Sequence, residues 1–391
     1  MLAGFDQQAD AILEEQIAIC EIPAPTAMEQ DRADEVQRRL AAIGLSVQQD
    51  EVGNLIAQHP DPVNNPIVLS AHLDTVFGAD QPVAVARPGQ PNPYRAGEAV
   101  PEGEYHAPGI SDAAAGLAAV LAVARVLSGS KAERHMLYLA TVGEEGRGDL
   151  RGARHFCNSR LGRSARVFIT IDHSDASAIV HRGIGSRRYN VRFRSSGGHS
   201  WAHFGRYNPA FALAAASDRL ADIRLPRSPR TTYNVGVVQG GETVNAIPEL
   251  AQMDVDLRSE SPDQLERLDA DLLEIIQRGH DKELRRRAAG ALDPIVTRIG
   301  DRPAGTTPDD SDLVRASRTA LEAEGLQPRL IAASTDANAA IAAGIPAIAM
   351  SWGGRSDNQH SIREWFDPTD RARSLRVIAR TLIALAGSDA G

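Results

Sequence analysis

Near residue 183 the periodicity of this 391-residue chain changes, and near residue 304 it changes back. Before the first change, helical and apolar segments alternate. Asp6 to Ile19 carries Ala9, Ile12, Leu13 and Ile17 at spacings of three and four, the period of a helix, and Pro23 and Pro25 stop it. A second helix is expected from Met28 to Ile43, closed by Gly44. Ile67 to Ala71, Met136 to Thr141 and Val167 to Ile171 read as strands, and Ala113 to Leu127 as an alanine-rich helix. Strands alternating with helices imply a largely parallel sheet with helices on both faces. Past residue 183 the strands alternate apolar and polar residues instead: Tyr189 to Arg194, Thr232 to Val238, Ala251 to Leu257 and Ile295 to Ile299. Helices Pro209 to Ile223 and Asp263 to Arg278 lie among them. That order predicts an antiparallel four-stranded sheet backed by two helices. The first texture returns with a helix (Asp312 to Ala323), a strand (Ala347 to Met350) and a helix (Arg371 to Leu385). The expectation is an α/β domain with a mixed, mostly parallel sheet, formed by residues 1–182 and 304–391, and an inserted α+β domain at 183–303.

The charge balance narrows the partners. With 42 Lys+Arg against 51 Asp+Glu, the net charge of -9 argues against nucleic-acid or membrane-surface binding, which needs a basic face. The two cysteines, Cys20 and Cys157, exclude a disulfide framework and zinc-finger spacing. The first twenty residues lack a basic stretch followed by an apolar core, and no apolar run is long enough to span a bilayer. A reducing cytoplasm is the expected location.

The segment TVGEEGRGDL (141–150) sets two carboxylates, Glu144 and Glu145, side by side after an apolar strand. Adjacent negative charges repel unless a positive group lies between them or one holds a proton. On a regular strand they would point oppositely, but Gly143 and Gly146 leave the backbone free to bend both toward one site. Other candidates also follow strands. His72 and Asp74 sit at i and i+2 on one face, so the carboxylate could take one imidazole N–H and leave the other nitrogen as a metal ligand; a satisfied surface histidine beside a capping aspartate is the alternative. Asp112, before the alanine-rich helix, could cap it or bridge metals. Asp172, His173 and Asp175 close another strand, which leaves the ligand there ambiguous. His360 follows a glycine-rich stretch, Trp352-Gly353-Gly354. In open α/β sheets ligands bind at the carboxyl ends of strands. Two histidines and several carboxylates with almost no cysteine suit zinc, manganese or cobalt. More carboxylates than one ion needs suggest two metals about 3.5–4 Å apart.

The ordered set HLD, GISDAAAG, GEEG, IDHSD, GGHS, VNAIPELAQMDVDLR and NQHS resembles the M20 family of dinuclear metallopeptidases, which includes di- and tripeptidases, aminoacylases and related amidohydrolases. The likeness runs along nearly the whole chain, insertion included. It implies that His72, Asp112 and Asp172 hold one metal. Asp112 would bridge to a second held by Glu145 and His360, with zinc expected and manganese or cobalt as alternatives. Glu144 would be the general base toward a shared water whose pKa the metals lower, and Asp74 would orient His72. In the inserted domain His199 matches a lid histidine that often reaches the neighbouring subunit's site, so a homodimer through that domain is implied. Asn245 and Arg258 match positions that bind the substrate's polar groups and carboxylate, and Gly354 lies in a loop lining the substrate pocket. Arg258 could instead pair with Asp254 or Asp256 on its own strand. In that family the bridging aspartate often precedes a cis peptide and a polar residue; here Ala113 follows. Glu364 takes the place of the family's acidic residue after the last histidine.

The expected function is exopeptidase cleavage of short peptides, because TVGEEGRGDLRGARHF and SSGGHSWAHFG look closest to the tripeptidase and aminopeptidase branch. An N-acyl amino acid amidohydrolase would use the same metals and Arg258. A binding protein on a catalytically dead version of the fold is a further alternative. A nucleotide-binding protein is disfavoured, because Gly183-Ile184-Gly185 lacks the third glycine and the helix of a phosphate loop.

Overall fold

The computed structural model describes residues 2–286 and 289–387. The chain forms two compact units, one holding residues up to Gly183 and from Thr306 onward, the other Ile184–Gly305.

The first unit is built on a nine-stranded sheet. Its centre runs Met136–Thr141, Ile67–His72, Val167–Ile171, Ala347–Met350, all parallel. Every residue of these four strands is buried. That is why they read as unbroken apolar runs, since helices cover both faces of a parallel sheet. Antiparallel strands Leu55–Gln58 and Ser46–Gln49 extend one edge. On the other side Ala178–Gly183 pairs antiparallel with Ala347–Met350 and parallel with Arg329–Ala333. These four outer strands were not anticipated. Ser46–Gln49 is mostly exposed, so neither an apolar run nor a clear alternation marks it.

Helix Ala114–Leu127 is buried almost all round, wedged between the sheet and outer helices. Full burial of a leucine such as Leu117 or Leu121 contributes roughly 1.5–3 kcal/mol. The helix reaches the strand ends only because residue 116 is glycine. A Cβ there would lie 2.5 Å from the Ile171 carbonyl oxygen and 3.3 Å from Ala71 Cβ. The alanines and glycine of GISDAAAG thus set how near the loop before the helix comes to the sheet edge. At the N-terminus the single expected helix is two, Gly4–Gln7 and Ala9–Cys20. The next spans Gln30–Ala42, leaving Met28 and Glu29 in the turn before it.

The second unit has a four-stranded antiparallel sheet in the order Thr231–Gly240, Leu250–Ser259, Gly185–Ser195, Leu292–Arg302. Burial alternates strictly along Leu250–Ser259, and Ala251, Met253, Val255 and Leu257 share a core with helices Pro209–Ala221 and Pro262–Arg286. Asn208 caps the first helix through Ala210 N–H, with Pro209 at its first position. Thr231–Gly240 is an edge strand, and Val237 and Val238 on it are exposed. Gly198–His199 pairs with Ala246–Ile247 in a small separate ribbon. Among the described residues no helix is long and apolar enough to cross a membrane.

Candidate metal centre

Parallel register puts the carboxyl ends of three strands side by side: His72 pairs with Thr141, and Ser70 with Thr170. The segments leaving those ends carry His72, Asp74, Glu144, Glu145 and Asp172.

His72 is buried, and its Nδ1 lies 3.0 Å from the main-chain carbonyl of Asp74. A proton on Nδ1 makes that hydrogen bond and leaves the Nε2 lone pair pointing away. Nε2 is 2.8 Å from Asp112 Oδ1 and 3.7 Å from Asp172 Oδ1. The expectation that the Asp74 carboxylate orients His72 is corrected in its atom. That carboxylate is 3.6 Å from Nδ1, whereas the carbonyl is nearer. The carboxylate instead accepts from Glu144 N–H (2.9 Å), Glu145 N–H (3.0 Å) and the Thr26 hydroxyl (2.8 Å).

Asp112 does not cap the helix that follows it. Ala113 occupies the cap position with no side-chain cap bond, and the Asp112–Ala113 peptide is cis. Buried Glu364 holds the loop, accepting from Gly109 N–H (2.8 Å), Ser111 N–H (2.9 Å), the Ser111 hydroxyl (2.5 Å) and Asp112 N–H (3.0 Å). Burial, with Asp112 close by, pushes Glu364 up to about 7. So held, the two oxygens of Asp112 face different imidazoles: Oδ1 faces His72, and Oδ2 lies 3.2 Å from His360 Nε2. The same His360 nitrogen is 2.8 Å from Glu145 Oε1.

Two groups result. The ligand atoms of His72, Asp112 and Asp172 all lie within 4.8 Å of one another, and so do those of Asp112, Glu145 and His360. Asp112 belongs to both. A third set, His72, Glu144 and Glu145, meets the same limit, which brings Glu144 to the same place. A four-coordinate ion with bonds of about 2.0–2.2 Å spaces its ligand atoms at about 3.3–3.6 Å; the separations here run from 2.8 to 3.7 Å, on both sides of that range. Asp112 Oδ1 is buried and makes no hydrogen bond, although His72 Nε2 is near. A buried carboxylate oxygen without a hydrogen bond beside an imidazole nitrogen is a donor set that suits a cation. The residues therefore fit two divalent metals.

The electrostatics agree. Hydrogen bonds to the Asp112 and Glu145 carboxylates push His360 up to about 11. Burial would lower His72, but Asp112, Asp172 and Asp74 together hold it well above its ordinary value. Burial raises Glu145 and Asp172, and the Asp112 charge adds to both. Burial would raise Asp112 too, yet His360 and His72 hold it below the usual carboxylate range. The carboxylates around the two imidazoles thus favour positive charge at this place, which a divalent cation would supply.

His173 joins neither group; its Nδ1 accepts the Asp175 N–H at 3.0 Å, and Asp175 pairs with Arg329. Gly354, at φ +77, backs onto Asp367 and Phe366, where a Cβ would come within 2.5 Å of the Asp367 carbonyl oxygen. Two nearby acids carried no motif. Asp336 is buried, accepts from the Thr141 hydroxyl at 2.5 Å, and is pushed by burial up to about 7. Glu29 accepts from Gly143 N–H at 3.0 Å.

The remaining predicted positions belong to the second unit. His199 is exposed, and its Nδ1 accepts from Trp201 N–H (3.2 Å) and Ala202 N–H (3.4 Å), which puts its proton on Nε2. His199 and Asn245 line a cleft of about 820 Å³ with Arg194, Gly241 and Thr243. Arg258 pairs with Asp256 on its own strand, Nε to Oδ2 at 2.6 Å, as the competing reading of that arginine held.

The whole architecture occurs in proteins of known structure. An aminopeptidase PepT from Bacillus cereus ATCC 10987 superposes with a TM-score of 0.76 at 21% identity, over 97% of this chain and 99% of that one. A tripeptidase from Staphylococcus aureus subsp. aureus Mu50 gives 0.76 at 19%, over 97% and 99%. These likenesses concern the fold. A probable carboxypeptidase of Paracoccidioides lutzii is 26% identical over 212 residues, which are 49% of this chain and 44% of that protein, so the match spans less than half of that relative. The family model for Peptidase family M20/M25/M40 matches residues 68–384, a stretch that includes every residue of both ligand groups. The chain belongs to that family.

Proposed function

We propose that this protein hydrolyses amide bonds of short peptides as a two-metal exopeptidase. The observation that carries the reading is Asp112 shared between two three-residue groups, with Glu144 buried beside them. His72, Asp112 and Asp172 would hold one metal, and Asp112, Glu145 and His360 the other. When bound, the metals would polarise the scissile carbonyl and ease removal of a proton from water near neutral pH. Zinc suits this set of imidazoles and carboxylates, and manganese or cobalt would be accepted by the same donors.

The protein's own groups would do the rest. Glu144 takes a proton from the attacking water and returns it to the leaving amine. The Asp74 carbonyl keeps the His72 proton on Nδ1, and the Asp74 carboxylate fixes the main chain of both glutamates. His199, with its proton on Nε2, offers a donor to the substrate oxygen as charge builds there. Asn245 would bind substrate polar groups, and the Gly354 loop would line the pocket. Arg258 would have to exchange Asp256 for a substrate carboxylate, whose two oxygens its fork matches.

The substrate is read as a di- or tripeptide. A panel containing a tripeptide and an N-acetyl amino acid tests this: the tripeptide should be the better substrate, and a preference for the N-acetyl compound would make the protein an N-acyl amino acid amidohydrolase. Hydrolysis of neither, in protein reconstituted with metal, would reject the function.

The second unit is read as the contact between two copies. Its edge strand Thr231–Gly240 has a strand neighbour on one side only among the described residues, Val237 and Val238 on it are exposed, and Trp201, Phe204 and Val244 are exposed as well. His199 would then serve the neighbouring copy. Gel filtration should show a dimer, and a fully active monomer would contradict that role.

A further inference from the structure

Three consecutive main-chain N–H groups run through the pair of glutamates, and each ends on a buried carboxylate. Gly143 N–H donates to Glu29 Oε1 at 3.0 Å, Glu144 N–H to Asp74 Oδ1 at 2.9 Å and Glu145 N–H to Asp74 Oδ2 at 3.0 Å. Glu29 is only 5% exposed and lies 114 residues from Gly143 in sequence. Its Oε1 also accepts from Ala27 N–H at 2.9 Å and stands 3.5 Å from the Arg151 guanidinium. The turn that carries Glu29 also touches Asp74, because the Thr26 hydroxyl donates to Asp74 Oδ2 at 2.8 Å. Thr75 N–H donates to the Ala24 carbonyl at 2.9 Å and Thr26 N–H to the Thr75 carbonyl at 3.3 Å, so the turn is zipped to the segment after His72.

We propose that Glu29 is a positioning residue for Glu144 and Glu145, the second half of a two-carboxylate cradle that sets their peptide planes. The proposal rests on the reading of Glu145 as a ligand and Glu144 as a base. Neighbouring side chains on a regular strand diverge, so both reach one site only if the main chain turns between defined peptide planes. Gly143 makes that turn at φ +64, a conformation in which glycine alone imposes no preference. Asp74 fixes the planes on either side of Glu144. That contact does not reach the plane before Gly143, whose Val142 carbonyl accepts from Gly152 N–H at 2.8 Å and whose Gly143 N–H end is gripped by Glu29, the side chain on it among the described residues. Adjacent residues link the two carboxylates, the Thr26 hydroxyl to Asp74 Oδ2 and Ala27 N–H to Glu29 Oε1, so displacing one should loosen the other.

The plain alternative is that Glu29 only stabilises the fold as a buried partner of Arg151, which the variants separate. Glu29→Ala removes the acceptor, Glu29→Gln keeps an oxygen that can take the Gly143 N–H, and Glu29→Asp keeps the charge but withdraws it by one methylene. Each full-length protein is stripped, titrated with Co²⁺ alone, and assayed on a tripeptide after reconstitution. Glu29→Ala should weaken one Co²⁺ site and lower kcat, each by about 10–100-fold, with KM within about twofold of wild type. Glu29→Gln should recover most of both losses. If Glu29→Ala does not fold, Glu29→Asp should show the same kcat and Co²⁺ losses in a folded protein. A Glu29→Ala protein with a lowered Tm but kcat and Co²⁺ binding like wild type overturns the proposal, and so does a Glu29→Gln protein as impaired as Glu29→Ala. The Co²⁺ titration needs no substrate. A Co²⁺ loss in a protein that hydrolyses no peptide would reject the proposed function and leave the cradle standing.

Discussion

Replacing Glu144 by alanine is expected to lower kcat by about 10²–10⁴-fold while both metals stay bound. The neighbouring change, Glu145→Ala, is expected to act on metal first. The two side chains are adjacent and both buried, yet only Glu145 belongs to the group that includes His360, at 2.8 Å from its Nε2. On the proposed reading, taking Glu145 away would remove one of three ligands, a larger loss than the about 10–100-fold typical of an outer partner of a metal site. Activity lost through Glu145 should therefore return when metal is added in excess, and activity lost through Glu144 should not. Metal analysis beside steady-state kinetics on a tripeptide makes the comparison. A Glu144→Ala protein that loses a metal would mean that Glu144 is a ligand, and one that keeps its activity would remove it as the base. Added metal failing to help Glu145→Ala would assign that residue a role beyond ligation.

The second large effect is expected at Asp112. Its two oxygens face His72 and His360, at 2.8 and 3.2 Å, and it is the one residue common to the two ligand groups that include a histidine and Asp172 or His360. Asp112→Ala should empty both sites and abolish hydrolysis. His360→Ala should empty one and leave His72 and Asp172 with theirs. The loop itself should survive the change at Asp112, because Glu364 grips main-chain N–H groups and the Ser111 hydroxyl rather than the Asp112 side chain. Circular dichroism checks that, and metal content per chain reads the result. If Asp112→Ala and His360→Ala bind the same amount of metal, Asp112 does not bridge.

Much of this was legible in the sequence. Strands Met136–Thr141, Val167–Ile171 and Ala347–Met350 coincide with their apolar runs because each is buried along its whole length, so burial leaves an unbroken signature. The alternation along Ala251 to Leu257 survives in the inward set of the longer strand Leu250–Ser259 for the opposite reason, that one face is solvated. Of the clustered residues, His72, Glu145 and Asp172 were legible as polar residues at or just after the ends of buried apolar strands. Residues that act at a distance in sequence were not. Glu29 and Asp336 reach Gly143 and Thr141 across 114 and 195 residues, and no local pattern records such a contact. Spacing put His72 and Asp74 on one face, but it could not say that the Asp74 carbonyl takes the imidazole proton while the carboxylate takes two main-chain N–H groups. Arg258 shows the same limit: its side chain lies with Asp256, a partner two residues away that the sequence allowed but did not choose.

The central claim is a pair of metals joined by Asp112. Anomalous diffraction from crystals of the zinc-reconstituted protein tests it most directly. Two peaks should appear about 3.5–4 Å apart, both in contact with Asp112, one beside His72 and Asp172 and the other beside Glu145 and His360, with Glu144 bound to neither. A single peak, or a second peak ligated by Glu144, would contradict the account.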